Sequence, residues 1–177
     1  MIGFHRPLKV RFGERGMIKS FGLHWRSDQV NWGKPGVGNR GTLMGAERRS
    51  RNAPQVNFRK QRGIYVLYAE YEVVYIGQTG AGNDRLFNRL KMHRINHLSE
   101  RWNRFSWFGT QGVIGGNRLK ADNDAVHIEI ASALNIMEAV AIAISEPRLN
   151  LKRGNWAGAK PYFQVPIGKG FEDEEED

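Results

Sequence analysis

Residues 63–77, GIYVLYAEYEVVYIG, form two aromatic and β-branched runs, 64–68 and 73–76, joined by a short acidic link. That pattern predicts a β-hairpin. A glycine-rich loop, QTGAGN at 78–83, follows, and then Asp84 stands where a helix would take its N-cap. Leu86, Phe87, Leu90, Ile95, Leu98 and Trp102 recur at helical spacing while Arg85, Arg89 and His93 fall on other faces, which predicts an amphipathic helix over 84–102. FSWFG at 105–109 reads as a third strand. Residues 127–145 are apolar enough for a buried helix, which Glu146-Pro147 would end because proline disfavours helical geometry in its predecessor. PYFQVPI at 161–167 suggests a last short strand.

The first 61 residues keep no sustained period of 2 or 3.6. Within them Phe21, Leu23, Trp25, Val30 and Trp32 place apolar bulk at alternate positions, so 21–32 is expected to form a short hairpin turning near Ser27 and Asp28. No internal repeat is visible.

A chain of 177 residues suits one domain, and 40% hydrophobic with 25% charged residues is enough to bury a core. No apolar run nears the roughly 20 residues that span a bilayer, and MIGFHRPLKV has no apolar secretion segment, so a soluble, cytoplasmic protein is expected. The absence of cysteine removes disulfides, thiol catalysis, cysteine zinc sites and iron–sulfur clusters together. Charge adds more. The net +9 includes six acids at 172–177, so the rest of the chain carries +15, and residues 1–62 hold 14 cations against three acids. Such density attracts polyanions through counterion release, which makes nucleic acid the first expected partner and an anionic membrane the second. Arg26, Lys34, Arg40, Arg48, Arg49 and Arg51, interleaved with aromatic residues, are the candidate nucleic-acid contacts. Packing of those aromatics on the core or at a dimer interface is the competing expectation.

The triplets Gly63-Ile64-Tyr65 and Tyr75-Ile76-Gly77, with their tyrosines ten residues apart, resemble the GIY-YIG nuclease family. Arg89 and His93, four apart, fit the family's helix, and Glu138 and Asn150, twelve apart, fit its glutamate and asparagine. The likeness covers about residues 62–151. It departs at Gln78, where several relatives have lysine, and in a longer loop between Gly77 and Arg89. The resemblance implies an α/β (α+β) core, a small three-stranded sheet flanked by helices over 62–170, preceded by the basic extension 1–61 and followed by an acidic tail 171–177. It also implies Mg²⁺-dependent (or Mn²⁺-dependent) endonuclease activity on DNA, with RNA left open. Tyr65 would be the general base, Tyr75 and His93 would assist water or phosphate, Arg89 would hold the phosphate, Glu138 would bind the metal, and Asn150 would anchor the site. A basic extension without zinc fingers or a repair-partner domain points towards restriction or anti-phage defence, rather than homing or repair. Double-strand cutting by one site per chain would call for a homodimer.

The residue chemistry agrees with that expectation. Phosphodiester hydrolysis needs an activated water and fixed cations for developing charge, and Arg89 stays charged at any working pH. One carboxylate plus water suits Mg²⁺. Taken singly, the same residues have plainer roles: Tyr65 and Tyr75 as strand aromatics, Arg89 as a solvated helix cation, Glu138 as a solvent-facing acid and Asn150 as a turn residue. His93 with His97 could suggest zinc, but no HExxH pattern or third ligand accompanies the pair. A nucleic-acid-binding protein whose nuclease site has decayed is the second functional expectation, and a structural RNA-binding protein the third.

Overall fold

The computed structural model describes residues 17–34, 36, 38, 40–79, 85–115, 117–120, 130–145 and 158–168. Its strands are β1 Ser20–Arg26, β2 Met44–Ala46, β3 Gln55–Asn57, β4 Gly63–Ala69, β5 Glu72–Thr79, β6 Arg104–Gly109, β7 Val113–Ile114, β8 Arg118–Leu119, β9 Lys160–Pro161 and β10 Phe163–Gln164. Two α-helices accompany them, α1 Leu86–His93 and α2 Ile130–Ser145. The class is mixed α/β, dominated by strands.

The 63–77 hairpin forms as expected. β4 and β5 pair antiparallel from Gly63↔Thr79 to Ala69↔Glu72, turning at Glu70 and Tyr71. FSWFG also becomes a strand, since β6 pairs antiparallel with the other edge of β4, Tyr65 opposite Trp107. The main sheet then continues beyond the expected three strands: its order is β5-β4-β6-β1-β9. The fourth strand comes from the basic extension. β1 does not fold back on residues 30–32 as a hairpin but pairs with β6, Phe21 opposite Phe108 and Trp25 opposite Phe105, with a bulge between Gly22 and Trp25. After β1 a 3₁₀ turn at Ser27–Gln29 leads to Asn31, which bridges to Thr42 instead. The physical reason is burial: β6 needs a partner on its free edge, and β1 brings apolar bulk to both faces.

Alternation along β4 sorts the core into two layers. Tyr65 and Leu67 face one cluster with Trp25, Phe58, Phe87, Leu90, Phe105 and Trp107. Val66 and Tyr68 face the other, with Ile18, Phe21, Phe108, Ile136 and Val140. Helix α1 therefore lies on the Tyr65 face and α2 on the opposite one. The core crosses the boundary expected at residue 61. Trp25 is 2% exposed, donates from Nε1 to the Tyr162 carbonyl at 3.1 Å, and meets Trp107 edge-on at 5.4 Å between ring centroids. For the tryptophans of the extension, packing is what the structure displays.

Two further differences have local causes. The helix expected over 84–102 stops at His93, because Asn96 and Ser99 turn their side chains to the backbone, Asn96 Oδ1 accepting from Leu98 N–H and Ser99 Oγ donating to the Arg94 carbonyl. Ile95, counted into the helical stripe, is 82% exposed. Its N-cap position is Arg85, without a side-chain cap, and Asp84 lies outside the described residues. The segment 161–167 divides at the buried Tyr162: β9 joins β1 in the main sheet, whereas β10 joins a smaller sheet, β10-β2-β3. Residues 1–16 and the tail 171–177 lie outside the described residues. No helix among the described residues is long and apolar enough to cross a membrane.

If the extension is core and not appendage, Trp25→Ala should cost about 3–5 kcal/mol in urea unfolding, as truncations of large buried aromatics do. An unchanged unfolding midpoint would show that residues 18–60 fold apart from the sheet.

Candidate active site

Both motif glycines are required by close approach. Gly63 has φ +144°, and a Cβ there would strike the Phe108 carbonyl, so a side chain would break the β4–β6 pairing at its first residue. Gly77 lies opposite Tyr65 across the β4–β5 ladder, and its missing side chain is where the Tyr65 phenol passes. The glycine thus lets the phenol lie flat over β5 and reach α1.

There it meets His93. Tyr65 Oη is 2.7 Å from His93 Nε2, and both residues are buried. The other ring nitrogen, Nδ1, is 3.1 Å from Asn96 Nδ2. Because Asn96 Oδ1 already accepts from Leu98 N–H at 2.9 Å, its amide nitrogen is the atom that faces the histidine. An amide nitrogen only donates, so Nδ1 accepts and the proton of the neutral imidazole sits on Nε2. His93 therefore donates to the Tyr65 oxygen. The backbone carbonyl of His93 is held as well, accepting from Trp102 Nε1 at 3.2 Å. Asn96 carries no sequence signal, being an ordinary turn residue three positions after the histidine.

Arg89, one turn before His93 on α1, lies within hydrogen-bonding and charge reach of the same phenol. Tyr75 completes the group, with its ring centroid 4.8 Å from His93 and 6.1 Å from Tyr65. Burial pushes the Tyr65 phenol above its ordinary value, and Arg89 opposes that shift. Burial, reinforced by the Arg89 charge, pulls His93 down. Near neutral pH the pair is an uncharged phenol accepting from an uncharged imidazole, beside a permanent cation. Such a group offers an anion a fixed positive charge at Arg89.

Four of the six expected site residues, Tyr65, Tyr75, Arg89 and His93, are brought together. Glu138 is not among them. It is exposed on α2, two positions from each of Ile136 and Val140, whose side chains pack on the sheet face opposite Tyr65. Asn150 lies outside the described residues. A lone carboxylate with room for water has the donor chemistry Mg²⁺ or Mn²⁺ accepts, yet Glu138 as placed cannot share an ion with the phenol–imidazole pair. Among the described residues no three His, Asp or Glu side chains gather for a metal.

Some of the expected nucleic-acid contacts have partners within the chain. Arg26 is engaged by Asp28, with Nε to Oδ1 at 3.0 Å, and Arg49 lies over the Phe163 ring at 4.8 Å. Lys34, Arg40, Arg48 and Arg51 are exposed on loops. No protein-family model, no curated protein and no solved structure matches the chain.

Two measurements probe the cluster. A histidine held neutral by burial contributes stability that is present above its unfolded pKa of about 6.5 and is lost as pH falls through the lower folded value. The wild-type melting temperature should accordingly drop as pH falls below about 6.5, and His93→Gln should flatten that part of the profile. Gly77→Ala should displace the Tyr65 ring. It would be seen as loss of the Tyr65–His93 contact in the variant's crystal structure, and an unmoved phenol would refute the role given to the glycine.

Proposed function

We propose that the chain hydrolyses phosphodiester bonds in DNA, with Tyr65, Tyr75, Arg89 and His93 as its catalytic group. The observation that carries this reading is the 2.7 Å contact between Tyr65 Oη and His93 Nε2, with Arg89 beside it. The tautomer of His93 gives the phenol oxygen one donor and Arg89 supplies a second, both of which stabilise the phenolate when it forms. The phenolate takes a proton from water as the water oxygen bonds to phosphorus. The bond from phosphorus to the leaving oxygen breaks, and that oxygen is protonated from solvent. Arg89 neutralises charge on the non-bridging oxygens throughout, in a site fixed before substrate arrives. DNA is favoured as substrate by the net positive charge, concentrated in residues 1–62.

One observation favours a second reading, a DNA-binding protein with a decayed nuclease site: Glu138 is exposed on the other face of the sheet from this group. Cleavage separates the two. Wild type should nick supercoiled plasmid, and Arg89→Ala and Tyr65→Phe should each slow single-turnover cleavage by at least about 100-fold while still binding DNA. Binding without cleavage by wild type, with or without added Mg²⁺ or Mn²⁺, would establish the decayed-site reading.

The protonation states give a further expectation. Since the phenol must ionise and burial raises its pKa, the logarithm of the single-turnover rate should rise by about one per pH unit between roughly pH 7 and 9. A flat profile would remove Tyr65 as the base.

A further inference from the structure

Beside the catalytic group, α1 carries a second arrangement of side chains for which the proposed chemistry has no use. The Arg94 guanidinium lies 4.7 Å above the Trp32 ring, Trp32 lies 5.6 Å from Phe87 at an interplanar angle of 30°, and the Arg59 guanidinium lies 5.2 Å from the Phe87 ring. The four side chains make one row, cation, ring, ring, cation. Arg59 is steered further by its Nη1 donating to the Gly41 carbonyl at 3.1 Å. Arg94 is exposed and Arg59 partly so, and among the described residues neither forms an ion pair with a carboxylate.

Around the helix axis, at about 100° per residue, Phe87 and Arg94 share one flank, and Arg89 and His93 share another roughly 130° away. The row and the catalytic group thus sit on the two sides of α1. A helix is about 10–12 Å across, close to the roughly 12 Å width of the DNA major groove, so cations on its two flanks can meet phosphates of facing strands. Arginines held against aromatic faces keep their guanidinium hydrogens available and lose less side-chain freedom on binding than unsupported ones.

We infer that Arg59 and Arg94 grip the phosphate backbone of duplex DNA on the flank of α1 opposite Tyr65 and His93. Trp32 and the Gly41 carbonyl serve DNA binding here by orientation, aiming Arg94 and Arg59 towards the duplex. This inference rests on the reading of the chain as a DNA phosphodiesterase and adds how the substrate is held.

The test is the salt dependence of binding to a short fluorescein-labelled duplex, followed by anisotropy, for wild type, Arg59→Gln, Arg94→Gln and the double variant, with melting temperatures measured alongside. Each loss of a phosphate contact should reduce the slope of log K against log salt by about 0.9, and the double variant by about 2. Arg59→Lys and Arg94→Lys keep the charge and should keep most of the slope, which covers the case in which a glutamine variant fails to fold. Unchanged slopes in the glutamine variants of a wild type that binds and cleaves DNA would overturn this inference alone, leaving the row as packing. A wild type with no salt-dependent DNA binding would overturn both it and the reading beneath it.

Discussion

The Gln61 side chain, 1% exposed, uses its full hydrogen-bonding capacity at the point where three parts of the chain meet. Its Nε2 donates to Ser20 Oγ at 3.0 Å and to the Gln111 carbonyl at 2.9 Å, while Oε1 accepts from Arg62 N at 2.9 Å and from Gln111 N at 3.0 Å. The Gln61 backbone carbonyl takes a fifth partner, Leu86 N at 2.9 Å, which is the first amide of α1. One residue therefore locks β1 to the far end of β6 and sets where α1 begins. A buried amide with every atom satisfied costs little, whereas the same site half satisfied would leave several polar groups stranded out of water. The position of α1 on the sheet, and with it the reach of Arg89 and His93 to Tyr65, follows from that lock.

What the lock positions is a strand whose two faces do different work. β4 is hydrogen-bonded on both edges, so its register is specified, and a one-residue slip would send Tyr65 to the α2 face. In the observed register the phenol crosses the bare Gly77 and ends beneath His93. Gly63 permits β6 to come close enough to pair. The recurrence of glycine at the two ends of this hairpin is thus a matter of clearance for Phe108 on one side and for Tyr65 on the other.

Much of this was legible in the amino-acid order and some was not. The hairpin, the third strand and the helix beginning near residue 86 follow from periodicity, and the proximity of Tyr65, Tyr75, Arg89 and His93 follows from the motif spacing. The fourth strand was hidden because 20–26 must choose between a local hairpin and a distant edge, and the winner, β6, lies about 80 residues away. The end of α1 was overrun because Ile95, Leu98 and Trp102 continue a helical spacing that Asn96 and Ser99 defeat through backbone contacts. Asn96, which selects the histidine tautomer, and Gln61 have no pattern to announce them, since an amide reveals its role only through its partners. Charge counting has its own limit: density along the chain does not say which cations are already engaged, as Arg26 is by Asp28 and Arg49 by the Phe163 ring.

Phenol, imidazole and guanidinium together make a group suited to holding an anionic phosphorus centre while a proton is moved, and the basic body of the chain suits a polyanionic substrate. For hydrolysis at this group the reacting phosphate must sit on the Tyr65 face of the sheet. A crystal structure of Arg89→Ala bound to duplex DNA tests it most directly. A backbone phosphate is expected within hydrogen-bonding distance of Tyr65 Oη, with the duplex lying along α1. A duplex seated instead on the α2 face, against Glu138, would contradict it.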